Sequence, residues 1–75
     1  MSQRVPPLTP DQAIRLIQRF GFTQVRQSGS HKIFRNPEGI RVTIPYHKGK
    51  TLHPKIIKVI ARDLGLTVED LLAHR

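Results

Sequence analysis

Four histidines stand among thirteen lysines and arginines in this sequence, against only five carboxylates. Histidine changes charge near neutral pH, with an unperturbed pKa of about 6.5, so it is well suited to take and return protons there. Lysine and arginine can hold a phosphate and offset the charge that builds in a transition state. Together these groups suit chemistry on a phosphodiester. RNA brings its own nucleophile to such a site, because a 2′-hydroxyl relieved of its proton attacks the neighbouring phosphorus. DNA lacks that hydroxyl and offers the same groups nothing to activate. No metal is strictly needed.

Other chemistries find less support. There is no cysteine, so neither a disulfide nor a thiolate metal site is available. The histidines are spread along the chain without a cysteine to join them, and no metal site and no cofactor are expected. The acids are scattered over helix starts and a turn, so no paired carboxylates form. A Gly-x-Ser-x-Gly elbow and a phosphate-cradling glycine loop are both missing. Each histidine has a plain reading beside a functional one. His31, next to the turn Ser28-Gly29-Ser30, is either a strand residue with a satisfied hydrogen bond or a proton carrier. His47 lies in a basic loop and is either a phosphate contact or a solvated side chain. His53 reads most simply as a helix-start residue, and His74 as part of the tail.

The net charge is +8 and its placement matters more than its size. No carboxylate lies between Asp11 and Glu38, a stretch that holds Arg15, Arg19, Arg26, Lys32 and Arg35. None lies between Glu38 and Asp63, which enclose Arg41, Lys48, Lys50, Lys55 and Lys58. Positive charge left uncompensated attracts phosphates and speeds their encounter. The rival readings are a basic protein without a polyanion partner and a module that engages an acidic protein. No apolar run approaches the roughly 20 residues of a membrane span. Residues 1–8 have no apolar signal-peptide core and read as a flexible lead to a single domain covering 1–75.

The elements that must position these groups follow from local signals. Thr9-Pro10-Asp11-Gln12 is a capping box with proline at the first helical position. Ala13, Leu16, Ile17 and Phe20 keep helical spacing up to Gly21, beyond which Phe22 can fold back. Residues 23–27 and 31–35 read as strands around the Ser28-Gly29-Ser30 turn. The cluster Asn36-Pro37-Glu38-Gly39 makes the next turn. Ile40, Val42 and Ile44 alternate with Arg41 and Thr43 until Pro45, which cannot donate to a ladder, ends the strand. A basic loop, 46–52, leads to a second helix capped by His53, with Pro54 at its first position and Gly65 at its stop. Thr67 caps a short third helix carrying Leu71 and Leu72. The predicted class is α+β, in the order α-β-β-β-α with a short C-terminal helix. Two amphipathic helices can cover one face of a three-stranded antiparallel sheet, leaving the other solvated.

Which side chains reach that open face depends on the register of the second and third strands, because a slip of one residue exchanges the faces. With Ile33 opposite Val42, His31 lies at the edge of the core. With Phe34 opposite Val42, the larger ring is buried and His31, Ile33, Arg41 and Thr43 share the open face. The second register is the expectation, with Lys32 the one inward charge, near a strand end where it can snorkel.

Gly29-Ser30-His31, the apolar Ile33 and Phe34, and then Ile40-Arg41-Val42-Thr43-Ile44-Pro45-Tyr46-His47 resemble the HicA-type toxins of toxin–antitoxin systems. The likeness runs over roughly 8–72, and the order and spacing of its short motifs make it fairly specific. The chain departs from the pattern at His53-Pro54-Lys55, where many members carry a glycine–threonine pair. The resemblance implies a fold similar to double-stranded RNA-binding domains and ribosome-independent cleavage of mRNA in the cytoplasm. It further implies that His31 is the catalytic histidine and that a HicB-type antitoxin covers the active face of a monomeric free toxin. On that reading Gly29 allows the tight turn, and Ser30 donates to phosphate. Lys32, Arg41, His47, Lys48 and Lys50 add positive potential, and Tyr46 stacks on a base. A non-catalytic RNA-binding module of the same fold is the alternative.

Overall fold

The computed structural model describes residues 5–75 and shows the expected order. Helix α1 (Pro10–Gln18) is followed by strands β1 (Thr23–Ser28), β2 (His31–Arg35) and β3 (Arg41–Pro45), then by helices α2 (Pro54–Asp63) and α3 (Val68–Leu72). The strands form one antiparallel sheet in the order β1-β2-β3.

Local chemistry explains the helix limits. Thr9 accepts a hydrogen bond from the Gln12 amide at 3.2 Å, and the Gln12 side chain accepts from the Thr9 amide at 2.9 Å. Two amides that the first helical turn cannot satisfy are thus paired reciprocally. At the end of α2 the Leu66 amide reaches back to the Ala61 carbonyl and the Gly65 amide to that of Arg62, a Schellman turn. The same pattern closes α1, where the Phe22 amide bonds to Ile17 and the Gly21 amide to Gln18. Phe20 therefore lies past the regular helix, in a tightened turn, although its spacing continues the helical pattern.

His53 does cap α2. Its Nδ1 accepts from the Lys55 amide at 3.0 Å. We expect His53→Ala to lower stability by about 1 kcal/mol through that lost acceptor, and His53→Ser to restore it, as read by urea denaturation.

Both helices pack against β3 on one side of the sheet. Phe34, Val42 and Ile44 point into that layer, where Ala13, Leu16, Ile17, Phe22, Ile57, Ile60, Ala61 and Leu71 complete the core. Leu8 is also buried, and its carbonyl accepts from the Leu52 amide at 2.7 Å. The lead expected to be flexible over 1–8 is thus packed and hydrogen-bonded at its end, and its residues 1–4 lie outside the described residues. No helix among the described residues is long and apolar enough to cross a membrane.

The register of β2 and β3 is the expected one. Phe34 faces Val42, Ile33 faces Thr43 and His31 faces Pro45. Phe34 is fully buried, while His31, Arg41 and Thr43 are exposed and Ile33 is half-buried. The larger ring wins the core side because its burial removes far more apolar area from water than Ile33's half-exposure forfeits.

Candidate functional site

The open face reads as three rows across the strands. Ser28, His31 and Pro45 form the first, Arg26, Ile33 and Thr43 the second, and Thr23, Arg35 and Arg41 the third. None of these nine residues is acidic.

The first row is set by a two-residue hairpin turn. Gly29 has φ of 58°, while Ser30 has no positive φ. A positive φ at the first central position only is the pattern of a type II′ turn, which follows the right-handed twist of the strands and favours glycine there. The Gln27 side chain donates to the Gly29 carbonyl at 3.1 Å and braces it. The Ser30 carbonyl accepts from the Tyr46 amide at 2.6 Å. This bond ties the turn to the chain just after β3, where Pro45 has no amide to give. His31 stands between these anchors, exposed, its side chain making no hydrogen bond, ion pair or ring contact to the described residues. Its imidazole is open to whatever lies on the sheet.

The basic loop leaves from the same end of the sheet. His47, Lys48 and Lys50 are exposed there, and the Lys50 amide closes a turn on the His47 carbonyl at 3.1 Å. A hollow of about 300 Å³ is lined by Pro45, His47, Lys50, Leu52, His53 and Ile56, among others. His47 and His53 thus border the same hollow. Among the described residues, however, no three His, Cys, Asp or Glu side chains converge as metal ligands. A second hollow of about 310 Å³ lies on the helical side, beside Pro7, Leu16, Arg19 and Arg75, away from the face that carries His31.

Two expected contacts are committed elsewhere. Lys32 points to the helical side and sets its Nζ 3.8 Å from the centre of the Tyr46 ring. The Tyr46 hydroxyl donates to both carboxylate oxygens of Asp11, at 2.9 and 3.0 Å. In this arrangement Tyr46 is a latch between β3 and the start of α1 rather than a ring waiting for a base. Lys32 is the inward-facing charge that the register predicts. Arg19 is likewise occupied, donating to the His74 carbonyl at 2.7 Å, while Phe20 packs against the His74 ring.

The Asp11 hydrogen bond, with desolvation and the Asp11 charge behind it, raises the pKa of Tyr46 above the ordinary 10.0. A folded-state pKa above the unfolded one adds stability that is complete at neutral pH and is lost as pH rises through the folded value. The protein has one tyrosine and no tryptophan, so phenolate absorbance reports this group alone. We expect its alkaline midpoint to lie above 10.0, and Asp11→Asn to bring it down towards that value.

Of the predicted site residues, the fold gathers Gly29, Ser30, His31, His47, Lys48 and Lys50 at one end of the sheet. Arg41 lies at the other end of the open face. Arg35 stands opposite it there, and Arg26 lies on the same face. From the sequence, Arg35 carries no site role, and Arg26, like Arg19, is either an RNA contact or, more simply, part of a solvated face. The register that placed His31 outward also places Arg35 outward, so the signal existed for that residue. Arg26 carried no such signal, because its facing depends on a bulge in β1, where the pairing shifts between Gln24 and Arg26. The extra residue, Val25, turns Arg26 to the face opposite the one that strict alternation from Gln24 would give it.

The model of one protein family, described as HicA toxin of bacterial toxin-antitoxin, matches residues 10–66, well over half of the chain. No curated protein matches the chain.

Proposed function

The chain belongs to the HicA toxin family, whose members act in toxin–antitoxin systems with a cognate antitoxin, and from that premise we propose that it is a metal-independent endoribonuclease that cleaves mRNA with His31 as catalytic histidine. The observation that carries the reading is the placement of His31. It is an unpartnered, exposed imidazole at the anchored end of a sheet face that holds three arginines and no carboxylate.

The reaction uses the substrate's own nucleophile. His31 takes the proton of a 2′-hydroxyl, and the oxygen forms a bond to the adjacent phosphorus. The bond from phosphorus to the 5′-oxygen breaks, and that oxygen takes up a proton from water. The products are a 2′,3′-cyclic phosphate and a 5′-hydroxyl. Gly29 permits the turn that presents His31, and the Ser30 hydroxyl donates to a phosphate oxygen. His47, Lys48 and Lys50 attract the strand at the same end, and Lys32 adds potential from behind. On this reading the enzyme works in the cytoplasm as a monomer, with a HicB-type antitoxin covering the open face when the toxin is silent.

Incubation of the purified protein with end-labelled single-stranded RNA in excess chelator tests this. Fragments ending in cyclic phosphate or 3′-phosphate are expected. Salt-dependent binding without cleavage would make the protein an RNA-binding module. No binding at all would sink the RNA reading.

A further inference from the structure

Arg35 and Arg41 are direct cross-strand partners on the open face, and both are exposed. Like charges opposed in this way destabilise a sheet. Neither side chain has a hydrogen bond or ion pair among the described residues. The fold thus tolerates two arginines set opposite each other with no ion pair to either. Their position relative to His31 is set by β2, with Arg35 four positions along from His31, or about 13 Å along the strand. Arg26 stands on the intervening row, brought there by the bulge at Val25.

We infer that Arg35 and Arg41 together form a second phosphate-binding point, remote from the cleaved bond, that grips single-stranded RNA a few nucleotides from the phosphate at His31. Arg26 guides the backbone between the two ends. The inference rests on the RNA reading above and extends it from a single catalytic group to a track across the whole open face.

Three physical features favour RNA as the occupant. Guanidinium forks match phosphate oxygens in a bidentate manner. The cations recur along one face, as the charges of a nucleic acid backbone do. The apolar content of the face is limited to the half-buried Ile33 and Pro45, with the exposed Val25 at the bulge beside Arg26, whereas the centre of a protein interface is largely apolar. An acidic protein segment would meet charge here but little apolar surface to bury.

The test compares His31→Ala with His31→Ala/Arg35→Gln/Arg41→Gln, binding a short labelled single-stranded RNA over a range of salt concentrations. The background substitution prevents cleavage during the measurement. Each phosphate contact contributes about 0.7 to the slope of log affinity against log salt for single strands. We expect the slope to fall by about 1.4 for the two contacts, with no loss of thermal stability, since a like-charge pair has been removed. A control, His31→Ala/Arg15→Gln/Arg62→Gln, removes the same charge from the two helices and leaves the slope unchanged. RNA binding with an unaltered slope overturns the inference alone, as does an equal fall in the control, which would mean a diffuse field rather than a grip. Binding of an oligoglutamate peptide that falls with the pair, while RNA binding does not, assigns the site to an acidic partner and overturns it too. Failure of every protein to bind RNA at low salt is a failure of the RNA reading itself.

Discussion

His31→Ala is expected to abolish detectable RNA cleavage while leaving the fold and RNA affinity nearly unchanged. Positioned proton transfer by one side chain contributes roughly 10²–10⁴-fold to rate, and among the described residues no other imidazole stands on the strands of the open face. The side chain is exposed and makes no hydrogen bond, ion pair or ring contact among the described residues, so its removal leaves no buried group unpaired and no cavity. The thermal midpoint should match the wild type's, which separates lost chemistry from lost structure. In cells, expression of wild type without antitoxin should arrest growth, and His31→Ala should not. Growth arrest by the variant, or cleavage within a few-fold of wild type, would remove His31 from the mechanism. His47 would then be the next imidazole to test, since it lies in the loop that leaves the same end of the sheet.

The second large effect is structural. Phe34→Ala should cost about 3–5 kcal/mol, the usual range for emptying a buried aromatic site. At 0.05–0.15 kcal/mol per residue, a chain of this length has roughly 4–11 kcal/mol in total. Phe34 is fully buried between the sheet and the helices, beside Val42 and Ile44. Its loss therefore takes much of the stability present, and a largely unfolded protein is expected at 37 °C. The neighbouring Ile33→Ala, on the half-buried open side, should cost far less. Urea denaturation of the two variants checks the contrast. Equal losses would mean that the two faces are not distinguished as the register requires.

These two predictions concern residues three positions apart on one strand, and they separate activity from stability because alternate side chains serve opposite faces. One face of the sheet carries the core of this small domain, and the other is left open. The hairpin turn at Gly29, the Ser30–Tyr46 backbone bond and the Tyr46–Asp11 latch hold the end that carries His31.

Much of this was legible in the residues because its causes are local. The capping box at Thr9 and Gln12, the caps at His53 and Thr67, and the glycine stops at Gly21 and Gly65 each involve groups within a few positions of one another. His31 was marked as the candidate base by the family resemblance that Gly29-Ser30-His31 carries, its spacing alone leaving a plain strand residue open, and the alternation over 40–44 set the covered and open sides of the third strand. The facing of His31 was an inference from ring size, correct because burying Phe34 outweighs leaving Ile33 half-exposed. The tertiary structure alone decided the rest. It joined Tyr46 to Asp11 and to Lys32, turned Arg26 outward through a bulge, and set Arg35 against Arg41. Each of these depends on strand register or on packing between distant segments, where a single inserted residue changes which side chains meet, and no local preference of the chain encodes that choice.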